Sequence, residues 1–186
     1  MLPAEVSALL AGEPEDGAWE PVAHLLTVDD DGFPRVCLLS RAELAAGEDT
    51  VSCVVRARHT IANLRRTGQG LLVVAGGEAA YYVRLRVLAT REEAAGGRLA
   101  VALAVVAVEH DTLGVPLRPM TFRASAALRS YEQWDGNRAL LGRVAAMAAD
   151  DDTELGQDRC LTCGVCESSR RWPKAGPSRP PPRRSS

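Results

Sequence analysis

Apolar positions in this chain fall mostly into short alternating runs, and helical spacing is confined to three places. Ala23–Val28 reads as a strand, Asp29-Asp30-Asp31-Gly32 as a turn, and Arg35–Ser40 as the returning strand of a β-hairpin. Thr50–Arg56, rich in β-branched residues, predicts a third strand. Gly70–Val74 and Ala80–Thr90 predict two more, joined through Gly76-Gly77-Glu78. In the second of these Tyr81, Val83, Leu85 and Val87 alternate with Tyr82, Arg84, Arg86 and Leu88, the pattern of a half-buried strand. Leu99–Glu109 is apolar on both faces and predicts a strand that is central or at an interface. Met120–Arg123 predicts a short edge strand, constrained by Pro116 and Pro119. Helical spacing marks Met1–Leu10, with Val6, Leu9 and Leu10 on one stripe. It also marks His59–Thr67, where Thr60 is placed to cap the helix, Ile61 and Leu64 share a face, and Gly68 ends it. The third helix, Ser130–Ala149, repeats Tyr131, Trp134, Leu141, Val144, Ala145 and Ala148, with Trp134 expected in the core. Strands do not alternate with long helices, so a parallel sheet is excluded. The pattern predicts a mainly β protein, a six- to seven-stranded antiparallel barrel with flanking helices.

The 186 residues are 46% hydrophobic, enough for a substantial core, and the formal net charge is −2. That average hides a division. Residues 167–186 carry six basic groups against Glu167 alone, a net of +5, which leaves −7 on residues 1–166. Three segments are expected: a helix and linker over 1–22, the barrel domain over 23–149, and a disordered tail over 150–186 that is acidic, then Cys-bearing, then rich in Pro and Arg. Leu99–Val108, the longest apolar stretch, is about half of what spans a bilayer, and no secretory signal is visible near Met1. The expectation is a cytoplasmic protein with no membrane partner. The basic tail lacks the stacking aromatics of single-strand binders, so no specific nucleic-acid partner is expected.

Candidate chemistry concentrates where the third strand gives way to the second helix. Arg58, His59 and Thr60 lie at a helix start, where free backbone N–H groups and the helix dipole favour an anion. Arg supplies a forked donor, Thr a hydroxyl and His a ring donor, while Arg35 and Ser40 lie on a neighbouring strand. A phosphate site is the natural reading. The plain alternative is a solvated helix face of Arg58, Arg65 and Arg66, with Thr60 only a cap.

The order of these elements, with the Arg-x-Thr-x-x-Asn-Leu-Arg-Arg-x-Gly pattern over Arg58–Gly68, resembles the FMN-binding split-barrel family related to pyridoxamine 5′-phosphate oxidase. The likeness runs from about Ala23 to Ala148. It implies a split barrel and a homodimer with flavin at the subunit interface. It also implies a flavin-dependent oxidoreductase acting on an unidentified small molecule or electron donor. Carried over by position, Arg58 and Thr60 hold the phosphate with His59 beside them. Arg35 lies within reach, Val36, Leu38 and Ser40 contact the ring or ribityl chain, and Asn63 is structural. Two departures matter. Thr60 stands where the family often has Lys, and the C-terminal Arg/Trp signature of the oxidases proper is missing, so vitamin synthesis is not assigned. FMN is the cofactor implied, with a deazaflavin or haem as alternatives and a non-enzymatic flavin- or haem-binding dimer as the competing function. No side chain stands out as catalytic.

Cys37 and Cys53 sit in strand-like apolar runs, where a thiol behaves as a small hydrophobe. Cys160, Cys163 and Cys166 are spaced C-x₂-C-x₂-C, but Arg170 occupies the place of a fourth ligand. They are read as incidental thiols. Redox-reactive surface thiols or a three-thiolate zinc site are the lesser alternatives, and no metal site is assigned.

Overall fold

The computed structural model describes residues 1–93, 97–112 and 114–158, with side chains described as far as residue 150. Among the described residues, nine strands and four helices follow in the order α1 (Ala4–Leu10), β1 (Trp19–Pro21), β2 (Ala23–Val28), β3 (Pro34–Leu39), β4 (Leu44–Ala46), β5 (Thr50–Val55), α2 (Arg58–Thr67), β6 (Gln69–Gly76), β7 (Ala79–Glu93), β8 (Arg98–Thr112), β9 (Thr121–Arg123), α3 (Ala126–Glu132) and α4 (Trp134–Asp158). A 3₁₀ turn at Arg41–Glu43 joins β3 to β4. Seven strands form one antiparallel sheet in the order β3-β2-β6-β7-β8-β5-β4, curled into a half-barrel, and β1 pairs with β9 in a small second sheet. The fold is the mainly β antiparallel barrel that the sequence pattern predicts, split as the resemblance implies.

Alternation decides which face is which. Leu25, Cys37, Leu72, Val83, Leu85, Val101 and Leu103 point into the barrel and pack with Val6 and Leu10 of α1 and Leu64 of α2. The long strands β7 and β8 shift register between Arg84 and Leu85 and again between Val87 and Ala89. Such bulges raise local twist and bend the ribbon. Beyond them the outer face carries Ala100 and Ala102, and α4 lies there through Leu140, Leu141, Val144 and Ala148. The apolar run Leu99–Val108 is central, flanked by β7 and β5.

Local chemistry accounts for the ends of α2 and for the seat of α1. Gly68 closes α2 at φ 63°, a left-handed conformation suited to glycine, and its N–H donates to the Leu64 carbonyl at 2.9 Å. Leu9 of α1 lies so close to Gly76 that an added Cβ would stand 2.5 Å from Leu9 Cδ2.

Two expectations are corrected. Thr60 is not the cap of α2, because the helix begins one residue before His59 and Ala57 occupies that position. The helix expected over 130–149 is two helices, broken at Gln133, whose φ of 50° ends α3 before Trp134 starts α4. Strands β1 and β4, three residues each, were not foreseen. Helix α4 continues past Ala149 to Asp158. Cys160, Cys163, Cys166 and the Pro/Arg stretch lie outside the described residues. Among the described residues no helix is long and apolar enough to cross a membrane.

One buried polar latch ties α4 to the sheet. Arg98, 3% exposed, donates to Glu93 at 2.6 Å and through Nη1 to the Asn137 side-chain oxygen at 2.8 Å. Asn137→Ala would leave a buried guanidinium N–H without an acceptor. The expected loss is about 1.5–3 kcal/mol in urea unfolding, with little change in m-value.

Candidate functional site

Strand β3 is an edge strand, so its outward side chains meet no sheet neighbour beyond β2. Val36 and Leu38 face outward and are about half exposed, opposite Leu26 and His24. Leu26 and His24 in turn pair with Leu71 and Val73 of β6. Together Leu26, Val36, Leu38, Leu71 and Val73 make an apolar patch on the outer face, away from the part that α4 covers.

The inward side of the same strand meets α2. Arg35 grips Asp29 in the β2–β3 turn: its Nε donates to both carboxylate oxygens at 2.9 Å and its Nη2 lies 2.7 Å from Oδ2. Asn63 of α2 donates to the same carboxylate at 2.7 Å and to the Thr27 hydroxyl at 3.1 Å. Arg66 donates to the Val28 carbonyl. The helix is thereby fastened across the hairpin, and Asn63 has the structural place expected of it. Arg35 holds the Asp29 carboxyl down to a pKa of about 2, and Asn63 and then His59 act in the same direction.

The first turn of α2 is bare. No side chain caps it, it contains no acidic residue, and Arg58 and His59 are exposed there. The first N–H groups of a helix have no acceptor within the helix, so this end offers backbone donors beside a guanidinium and an imidazole. Thr60 belongs to the same turn but is fully buried. Its hydroxyl makes no geometric hydrogen bond and lies against the Cys37 thiol inside the barrel. Burial pushes Cys37 up to about 11 and Cys53 higher still, so neither is a ready nucleophile.

Ser40 stands just past the end of β3, buried, and its hydroxyl and N–H both donate to Glu43 Oε2, at 2.9 and 2.8 Å. Burial raises the Glu43 pKa despite these bonds. Of the seven residues singled out in the sequence, the structure sets Arg35 on Asp29 with His59 acting on the same carboxyl, and leaves Arg58 exposed in the first turn of α2. It sets Val36 and Leu38 on the outer face, commits Ser40 to Glu43 and buries the Thr60 side chain. Asp29 was passed over because it reads as part of a turn; its signal was the Asp-rich loop preceding Arg35. Glu43 and Glu132, which meet near Ser40, gave no sequence signal.

No family model matches the chain, and no curated protein matches it. Among solved structures it is similar to an F420 reductase at TM-score 0.44 and 17% identity, over 58% of this chain and 98% of that one. It is similar to an FMN-binding protein from Syntrophomonas wolfei at 0.42 and 21%, over 52% and 78%. The styrene monooxygenase flavin reductase of Pseudomonas putida S12 gives 0.45 and 12%, over 66% and 94%. These likenesses are loose, and nothing about ligand or reaction passes from those proteins to this chain through them.

The Asp29 bridge has a signed consequence for acid stability. A carboxyl whose pKa is lower in the folded state stabilises the fold above its unfolded value and loses that contribution as pH falls through the folded one. Between about 3.8 and about 2 the protein should therefore lose stability through Asp29. Asp29→Asn should flatten this part of the curve, as read by thermal unfolding midpoints across that window.

Proposed function

We propose that this protein binds FMN, with the phosphate at the bare first turn of α2 and the ring system along the exposed apolar side of β3. The single observation that carries the reading is that helix end: free backbone donors, no acid in the first turn, and exposed Arg58 and His59 beside it. A dianionic phosphate is the ligand such an end favours. Val36 and Leu38 supply an apolar surface of the kind a flavin ring needs. Thr60 serves the site through its backbone N–H, since its side chain is turned inward. Arg35, already bonded to Asp29, holds the hairpin in place and adds positive potential.

The apolar patch of Leu26, Val36, Leu38, Leu71 and Val73 is proposed as the face on which a second copy docks, covering the ring from the far side. When bound, the flavin would carry the hydride or electron chemistry of a cytoplasmic oxidoreductase. The chain's own residues bind the phosphate, orient the ring and exclude water from it. A deazaflavin, with its phosphate on the same helix end, is the closest alternative ligand.

Fluorescence titration tests the phosphate assignment. FMN should bind more tightly than riboflavin, and Arg58→Ala should weaken FMN about tenfold or more while leaving riboflavin nearly unchanged. Arg143→Ala, on the exposed side of α4, should change neither. Equal affinities for FMN and riboflavin would remove the phosphate site. Sedimentation tests the docking face: the wild-type protein should run as a dimer and Val36→Glu as a monomer, and a wild-type monomer would refute the shared interface.

A further inference from the structure

The outer face formed by β3, β2, β6 and β7 carries its charges at the two flanks. The registers set side chains in rows across it: Val36, Leu26, Leu71 and Arg84 in one, Leu38, His24, Val73 and Tyr82 in the next. A hollow of about 380 Å³ lies in the same face, lined by Leu26, Val28, Pro34 and Leu71 among others.

At the β3 flank the hairpin turn presents Asp30, Asp31 and Phe33, all exposed. The Asp31 carboxylate accepts from the Phe33 N–H at 3.2 Å, and the Asp30 side chain has no partner among the described residues. At the β7 flank Arg84 and Arg86 are exposed. Arg84 pairs with Glu109 at 2.7 Å, while Arg86 has no acidic partner among the described residues. Pro34 pairs with Val28 and Arg86 with Gln69, each one row beyond Leu26 and Leu71. The acidic turn and Arg86 therefore stand at the same end of the face. Adjacent strands lie about 4.8 Å apart, so three spacings, or about 14 Å, keep Arg86 from the acids of its own chain.

This arrangement complements itself. A two-fold axis lying in the plane of the face, along the strands between β2 and β6, lays β3 of one copy over β7 of the other. The apolar middle then meets itself, and each acidic turn comes to the partner's Arg86. We propose that two copies of this chain are held in one orientation by paired contacts between the Asp30–Asp31 turn of each and Arg86 of the partner subunit. The inference rests on the docking face proposed above and adds its direction. Exposed ion pairs contribute little affinity, but beside an apolar interface they fix register and disfavour arrangements in which like charges meet.

Sedimentation of two variants and of their mixture tests it. Arg86→Glu sets acid against acid at both contacts. Asp30→Arg with Asp31→Asn sets base against base and keeps an acceptor for the Phe33 N–H. Each alone should raise the dimer dissociation constant about tenfold or more. Mixed one to one, they should recover a heterodimer within about threefold of the wild-type constant, because both of its contacts then join unlike charges. Only contacts between copies give that recovery. Arg143→Glu, on the exposed side of α4, should leave the constant unchanged, and thermal unfolding midpoints establish that each variant is folded. Arg86→Gln, a milder change, should weaken the dimer about threefold and covers a reversal that does not fold. Folded variants that dimerise as the wild type does, or that dissociate and do not recover on mixing, would overturn the proposal while the docking face stands on Val36→Glu. A wild-type monomer would overturn both.

Discussion

Everything in this fold is arranged around one strand that is buried on both sides. Along β8, Leu99, Val101 and Leu103 fill the barrel, while Ala100 and Ala102 lie under α4. Large side chains inward and methyl groups outward let the helix approach the sheet closely without leaving the core underfilled. The bulges where β7 meets β8 then bend the long ribbon, so that its other half shows solvent the outer face that α4 does not reach. The uncovered apolar patch on β2, β3 and β6 is thus a consequence of how far one helix extends across a curled sheet.

At the other corner, charge rather than packing sets the geometry. Asp29 gathers Arg35, Asn63 and, at longer range, His59, and so fixes the β2–β3 turn against α2. The same bridge engages Nε and Nη2 of Arg35. The first turn of α2, with Arg58 and His59 exposed, carries no side-chain cap and no acid. Near the opposite end of β3, Glu43 and Glu132 stand beside Arg56.

Much of this was legible in the chain. Alternation in Ala23–Val28 and Tyr81–Leu88 marks the strands and their inward faces, because side chains on a strand alternate with period two. The two-sided apolar run at Leu99–Val108 marks its central place, since a strand with no polar face has none to give to water. Gly68 marks the end of α2. What was not legible has common causes. Strands β1 and β4 are too short to show a period, and Gln133 breaks the expected single helix through a backbone angle that its residue type does not announce. Thr60 in a helix-start motif looks like a ligand or a cap, yet one residue of difference in where the helix begins turns its hydroxyl into the core.

The opening pattern of apolar and polar positions by itself determined the class of fold and the strand that lies at its centre. Both follow from local periodicity within a few residues. Only the tertiary structure decided the partners. Arg35 is bound to Asp29, Ser40 is committed to Glu43, and Glu132 and Trp134, far along the chain, close a pocket beside β3. Charges and hydrogen bonds act over a few ångströms of space, and the curl of the sheet brings together residues that the sequence holds nearly a hundred positions apart.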